Sequence, residues 1–216
     1  MTGTAPQYYI SAACEEDLRE HGDSFRGVGY TKSPDEAQER YALMLEVIRE
    51  RDTEITLLDL GCGLAHMLDH IERRPDLAGV RYAGRDVSIA YVEAARCRHP
   101  EADLDVADVL RSDANLGGYD YVVMNGLFNW RGDLSTRTML RYWERMTKAA
   151  FAHARRGIAF NVMSTIVDWR REDLFHLRFD VLARSVAKNL SRHFVVRHDY
   201  EAYEYTTYVY RYPTKP

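Results

Sequence analysis

Between residues 54 and 125 the chain alternates short apolar runs with longer stretches whose apolar residues recur every three or four positions. Residues 54–60 (EITLLDL) form a run of strand length, broken by Gly61-Cys62-Gly63. Leu64, Met67, Leu68 and Ile71 follow at helical spacing. Residues 80–87 (VRYAGRDV) read as a second strand, and Ser88 caps a helix that ends before Pro100. A short strand at 102–106 leads to a turn at Asp108, and 119–125 (YDYVVMN) is a further strand. Upstream, Ser33-Pro34-Asp35-Glu36 supplies an N-cap, a proline at N1 and an acid at N3, followed by an apolar face of Ala37, Tyr41, Met44, Leu45 and Ile48. Downstream, Asp133 or Ser135 caps a long helix with Met139, Trp143, Met146 and Ala150 on its inner face. Residues 157–163 (GIAFNVM) are the next strand, a variable stretch runs over 164–179, and a helix lies near 181–190. Two closing strands, 193–198 and 203–212, are joined tightly enough to predict an antiparallel hairpin. Residues 1–32 are weakly patterned, with Gly22, Gly27 and Gly29 as breakers.

Strands alternating with helices predict an α/β fold, a mostly parallel sheet with helices on both faces and an antiparallel edge at the C-terminus. No repeat, low-complexity tract or linker interrupts the 216 residues, so 1–216 reads as one domain: a cap or lid segment at 1–32 and a Rossmann-like core at 33–216. The chain opens without a basic stretch followed by an apolar run, Glu15-Glu16-Asp17 standing where a signal peptide would be greasy, and no apolar segment approaches a membrane span. The expectation is a cytoplasmic protein with no membrane partner. Net charge is −4 and the basic pairs Arg73-Arg74, Arg155-Arg156 and Arg170-Arg171 stay isolated, which argues against nucleic acid as a partner. Cys14, Cys62 and Cys97 are dispersed, without zinc spacing.

The chemistry concentrates at Asp59-Leu60-Gly61-Cys62-Gly63, between a strand and a helix. Gly61 permits a tight turn, Gly63 lets the backbone approach a ligand, and the helix-start N–H groups of Leu64 and Ala65 are expected to face it. The same string also serves simply as a strand–helix turn. Asp86, followed by Val87, ends the next strand about 20 residues on, where an acid accepts both hydroxyls of a ribose; it competes with Ser88 for a capping role. Asp108, between Ala107 and Val109, is placed for an adenine amino group; a turn acid is the plainer reading, and Asp105 is its nearest rival.

In order and spacing, these three elements over 54–125 resemble the class I S-adenosylmethionine-dependent methyltransferases, and the terminal hairpin resembles the end of that family's seven-stranded sheet. The resemblance implies S-adenosylmethionine as cofactor and S-adenosylhomocysteine as product. It places Asp59, Gly61 and Gly63 on the methionine moiety, Asp86 on the ribose and Asp108 on the adenine, with Cys62, Val87, Ala107, Val109 and Asn125 beside them. More loosely, the chain resembles small stand-alone bacterial enzymes of that family, in Gly27-Val28-Gly29-Tyr30, in Gln38-Glu39-Arg40-Tyr41 and in Asn125-Gly126-Leu127-Phe128-Asn129. There Tyr30 and Arg40 would contact the cofactor carboxylate. Enzymes that methylate base amino groups carry two prolines after strand four; here both are missing.

Methyl transfer from a sulfonium needs alignment and water exclusion first, and a general base only where the acceptor must shed a proton early. The acceptor is expected over the carboxyl ends of the strands, where Asn125, Phe128, Asn129, Trp130, Asp168, Trp169, His176 and, from the cap, Tyr8 and Tyr9 can reach. His176 is the first candidate base and Asp168 the second, with Asn125 beside them. The aromatics would suit a flat or cationic small molecule, or simply pack in the core. His66 and His70 share a helix face but lack a third ligand and a supporting acid, so no metal is expected. Two rivals stand: an NAD-dependent oxidoreductase, whose fingerprint wants a glycine where His66 is, and a catalytically idle methyltransferase-like partner subunit. The oligomeric state expected is monomer or homodimer, and the pathway a specialised biosynthetic one.

Overall fold

The protein, a computed structural model, is described over residues 4–29, 33–50, 53–111 and 116–214. Its centre is strand β1 (Ile55–Leu60), where five of six residues are buried. β1 pairs in parallel with β2 (Val80–Asp86) on one side and β4 (Tyr119–Met124) on the other. Beyond β2 lies β3 (Asp103–Val106), and beyond β4 lies β5 (Ala154–Ser164), both parallel. The chain then reverses: β8 (Glu204–Tyr210) runs antiparallel to β5 and β7 (His193–Arg197) antiparallel to β8. The resulting order β3-β2-β1-β4-β5-β8-β7 carries the seven strands expected. An eighth, the two-residue β6 (His176–Leu177), pairs with the end of β5 inside the stretch that reads as variable.

Side chains alternate across this sheet and define two cores. Leu58, Leu60, Val122, Met124, Ile158 and Phe160 pack against α5 (Thr136–His153) and α6 (Phe179–Asn189). Ile55, Leu57, Tyr121, Val123 and Ala159 face α2 (Pro34–Leu45) and α3 (His66–Glu72). The caps follow the sequence chemistry: the Ser33, Ser88 and Ser135 hydroxyls accept the N–H groups of Glu36, Tyr91 and Thr138, so Ser135 rather than Asp133 opens α5. Ser88 heads α4 (Ile89–Arg98). Trp143 of α5 is fully buried, edge-on to Phe160 at 5.9 Å; burying a large apolar side chain of this kind stabilises a fold by roughly 1.5–3 kcal/mol.

The N-terminus departs most from expectation. Pro6–His21 form a four-turn helix, α1, with Pro6 in its first turn and Gly22 ending it. A 3₁₀ turn at Arg26–Val28 follows and Gly29 closes it with φ of 82°. The Tyr91 hydroxyl of α4 lies 2.8 Å from the Cys14 carbonyl and 2.7 Å from that of Gly27, docking helix and turn onto the core together. No helix among the described residues is long and apolar enough to cross a membrane.

Candidate cofactor and acceptor site

A cavity of about 700 Å³ opens over the carboxyl ends of β1, β2 and β4, beneath α1. That volume is ordinary for a small-molecule site. Its floor is the glycine turn. Gly61 has φ of 82° and Gly63 φ of 51°, both left-handed. The N–H groups of Gly61 and Cys62 donate to the Arg85 carbonyl at 2.7 and 3.2 Å, strapping the turn to the end of β2. A β-carbon on Gly61 would lie 2.9 Å from Leu127 Cγ, and one on Gly63 3.3 Å from Val28 Cγ1. α3 begins later than the sequence suggests: Ala65 is itself left-handed, its N–H donates to the Cys62 carbonyl, and the helix starts at His66. The Ala65 N–H is therefore spent inside the turn rather than offered to a ligand.

Asp86 lines the cavity, and its carboxylate ties two elements together: Oδ2 accepts the Gly63 N–H at 3.0 Å and Oδ1 the Ser88 N–H at 2.9 Å. Burial pushes its pKa up and these backbone donors pull it back. An ionised carboxylate takes about four hydrogen bonds, so capacity remains for a pair of ribose hydroxyls. Asp108 is more heavily used. Its Oδ1 accepts the Leu110 N–H at 2.9 Å, while Oδ2 accepts the Gln7 amide at 2.9 Å and the Tyr8 hydroxyl at 3.0 Å. The acid placed for an adenine thus also anchors the cap helix. Asp59 sits at the back, buried, accepting the Tyr82 hydroxyl at 2.9 Å. Burial, opposed by that hydrogen bond and reinforced by Asp86, pushes it up to about 7. Burial also raises both cavity thiols, Cys14 to about 12 and Cys62 well above its usual value, which favours their protonated form.

On the far side, Asn125, Leu127, Asn129, Trp130, Arg171 and Leu174 complete the lining. A buried carboxylate that the sequence reading passed over organises this side. Glu204, the first residue of β8, accepts Arg40 Nε at 2.6 Å, Asn129 Nδ2 at 2.7 Å and Asn161 Nδ2 at 2.9 Å. Asn161 Oδ1 in turn accepts the Gly126 N–H at 2.7 Å. Because a carboxylate only accepts, Glu204 fixes which way both amides face. Arg40 lines the cavity as expected, but held between Glu204 and Glu36.

Most sequence-derived candidates converge here: Gly61, Cys62 and Gly63; Asp86 and Val87; Ala107, Asp108 and Val109; and Asp59, Arg40, Asn125, Asn129 and Trp130 all line the one cavity. Others do not. Phe128 is fully buried behind it, edge-on to Tyr142 and Phe160, because its place in the turn aims it into the core. Tyr8 reaches the site only through Asp108, and Tyr9 stacks on Trp130 at 5.7 Å. The stretch after β5 turns away from the cavity at its two candidate bases. Asp168 accepts the Tyr203 hydroxyl at 2.8 Å, Trp169 is exposed against Tyr203, and His176 Nδ1 lies 2.5 Å from the Ser164 carbonyl, because β6 pins it to β5. Tyr30 lies outside the described residues. The His66–His70 face is split between partners, Asp23 for one and Gln38 for the other.

The family model described as "Methyltransferase domain" matches residues 58–157, the span of the glycine turn, both acids and the turn after β4. Rv1506c of Mycobacterium tuberculosis, which carries a provisional methyltransferase name, is 32% identical over 158 residues, covering 70% of this chain and 90% of its own. Magnesium protoporphyrin IX methyltransferase (ChlM) of Synechocystis PCC 6803, solved with bound S-adenosylmethionine, superposes with a TM-score of 0.68 at 12% identity over 98% of this chain and 100% of its own. The cyclase SpnF shares the fold too, with a TM-score of 0.59 at 16% identity over 89% of this chain and 73% of its own. With the glycine turn and the strand-end acids on one cavity, the sheet closed by an antiparallel hairpin, and a relative this similar over most of its length, the chain belongs to the class I S-adenosylmethionine-dependent methyltransferases.

Proposed function

We propose that the protein transfers a methyl group from S-adenosylmethionine to a small-molecule acceptor, bound between the turn after β4 and the cap helix, in a specialised biosynthetic pathway. The observation that carries this reading is the single cavity: one chamber joins the cofactor acids to Asn125, Asn129 and Trp130 under α1. Its volume accommodates a small acceptor beside the cofactor, and the acceptor wall, with Leu127, Trp130 and Leu174, suits an apolar or aromatic molecule.

Bound S-adenosylmethionine supplies a methyl group already activated by a sulfonium sulfur that leaves as a thioether. The protein's part is to align and enclose. Gly61, Cys62 and Gly63 carry the methionine moiety, Asp86 with Val87 holds the ribose, and Ala107, Asp108 and Val109 border the adenine. Asn125 stands at the boundary between cofactor and acceptor, and Asn129 and Trp130 position the acceptor. α1 excludes water. With Asp168 bonded to the Tyr203 hydroxyl and neither it nor His176 lining the cavity, positioning rather than general-base catalysis is the mechanism the side chains support.

Charge favours this cofactor over a dinucleotide. Among the described residues, six acids (Glu16, Asp17, Glu20, Glu36, Asp86 and Asp108) line the cavity, with the partly protonated Asp59, against three arginines. Each arginine is already paired, Arg40 with Glu204, Arg85 with Asp103 and Arg171 with Asp173. A sulfonium cation is welcome in such a field and a pyrophosphate is not.

A thermal-shift titration with S-adenosylmethionine, S-adenosylhomocysteine and NADH tests the reading. A ligand at a hundred times its Kd adds about 2.7 kcal/mol, which is roughly 5–10 °C for a domain of this size. Shifts with the two sulfur ligands and none with NADH are expected; no shift with either sulfur ligand refutes the reading. Methyl transfer to a small acceptor, followed with labelled cofactor against panels of phenols, amines and sugars, tests the rest.

A further inference from the structure

The methionine moiety of the cofactor brings an α-ammonium group into the cavity, and the acid that the family resemblance places there is poorly suited to receive it. Asp59 is buried behind the turn, hydrogen-bonded to Tyr82. The cap helix offers a different acid. Asp17 lies on the cavity side of α1, one turn after Cys14. It shares that cavity with Gly61 and Gly63: its Oδ2 lies 3.9 Å from where a Gly29 β-carbon would be, and the adjoining Val28 Cγ1 lies 3.3 Å from where a Gly63 β-carbon would be. The position is rigid, because the Tyr91 hydroxyl holds both Cys14 and Gly27.

The neighbouring acids of this segment are otherwise engaged. Glu15 accepts the Ser88 hydroxyl at 2.6 Å, and Asp23 accepts Arg98 at 2.7 Å and pairs with His66 at 2.8 Å. Asp17 takes no hydrogen bond from any described residue; of the charges on its own helix, His21 offsets the negative charge that Glu20 and Glu16 add around it. A half-buried carboxylate on the wall of the same cavity, taking no hydrogen bond from the described residues, is a site suited to a cation.

We infer that Asp17 of the cap helix is the counter-ion for the α-ammonium of S-adenosylmethionine, so that the lid itself reads the amino-acid end of the cofactor. The inference rests on the methyltransferase reading and adds to it a binding residue outside the family's motifs. A ligand without the ammonium leaves Asp17 facing an apolar chain.

The experiment is calorimetric titration of wild type, Asp17→Asn, Asp59→Asn and Glu20→Gln with two ligands, S-adenosylhomocysteine and its deaminated analogue, in which hydrogen replaces the ammonium. A charge-assisted hydrogen bond of ordinary strength corresponds to about a ten- to hundredfold change in Kd. Asp17→Asn is expected to weaken S-adenosylhomocysteine by that factor and leave the deaminated analogue unchanged, a coupling that a general disturbance of the lid would not produce. Glu20→Gln, which removes a cavity charge but not the ammonium's partner, is expected to weaken S-adenosylhomocysteine far less than Asp17→Asn, and Asp59→Asn to move both ligands alike. If Asp17→Asn weakens both ligands equally or neither, or if the ammonium-specific loss appears in Asp59→Asn instead, the assignment is overturned while the cofactor reading stands. If wild type binds neither ligand, both fall.

Discussion

Asp86 Oδ2 accepts the backbone N–H of Gly63 at 3.0 Å, so the acid that ends β2 also holds the glycine turn that follows β1. The two motif elements are therefore one mechanical unit, and a change at either should be felt at both. Asp86→Ala removes the partner of two backbone donors, Gly63 and Ser88. Leaving such donors unsatisfied costs about 1–3 kcal/mol each. The variant should melt several degrees lower and lose its response to S-adenosylhomocysteine, both read in one thermal-shift series. A variant with unchanged melting and an intact ligand shift would show that Asp86 neither holds the turn nor the ribose.

Gly61 presents a second constraint. Its φ of 82° strains any other residue, and an added β-carbon would press on Leu127 from the turn after β4. Gly61→Ala should cost about 1–3 kcal/mol from the backbone alone, with a further steric contribution. Adding Leu127→Ala should recover only the steric part, since trimming a neighbour cannot relax φ. Urea denaturation of the two variants and their combination separates the contributions; full recovery in the double variant would mean the backbone strain is negligible.

These contacts explain which parts of the molecule were legible in the sequence. ITLLDL, YDYVVM and AFNVM belong to strands covered on both faces, so their apolar runs stand out whatever the surroundings. α1 hides because it covers a cavity rather than a core. Only Gln7 and Ile10 of its sixteen residues are buried, and its inner face interrupts Ile10, Ala13 and Cys14 with Gln7, Ser11 and Asp17. Such a helix has no apolar stripe to find. Glu204 hides for the opposite reason. It opens a strand in which all seven residues are buried, and among tyrosines and threonines an acid reads as the outward-facing position. That Asp168 and His176 lie off the cavity was illegible because the pairing of β6 with β5, which sets the course of this stretch, involves only two residues.

The pH dependence of stability should carry the mark of Asp59. Its folded pKa is pushed up to about 7 by burial, against the Tyr82 hydroxyl and with Asp86 and Cys62 close by. An unfolded aspartate titrates at about 3.9. Between these values the folded protein holds a proton that the unfolded chain has released, so this group's contribution to stability falls as pH rises from about 4 to about 7 and is level above that. Asp59→Asn cannot titrate. The stability of the variant relative to wild type should therefore grow steadily from pH 4.5 to pH 7 and stay constant beyond, a window fixed by the folded pKa of about 7. Melting temperatures across that range supply the comparison, and a difference independent of pH would mean Asp59 is ionised throughout.

Glu204 should prove the most expensive single acid to remove. Its carboxylate is almost wholly buried and receives Arg40, Asn129 and Asn161 at 2.6–2.9 Å. Taking one partner from a buried pair costs about 3–5 kcal/mol when the other charge is left uncompensated; Glu36 still faces Arg40 here, which moderates that cost, but two amides lose their acceptor as well. Glu204→Ala should therefore lower the urea midpoint sharply. Glu204→Gln should fall between, because its single carbonyl oxygen cannot serve three donors and its own amide faces them. The exposed pair Arg197–Glu46 is the contrast: Arg197→Ala should cost no more than about 1 kcal/mol. The functional consequence follows from the next link, Asn161 to the Gly126 N–H. Loosening it frees the turn that carries Asn125 and Asn129, so the Gln variant, if folded, should keep its affinity for S-adenosylhomocysteine while losing turnover with whichever acceptor the wild type methylates. A Gln variant with wild-type turnover would confine Glu204 to stability and remove it from the positioning of the acceptor.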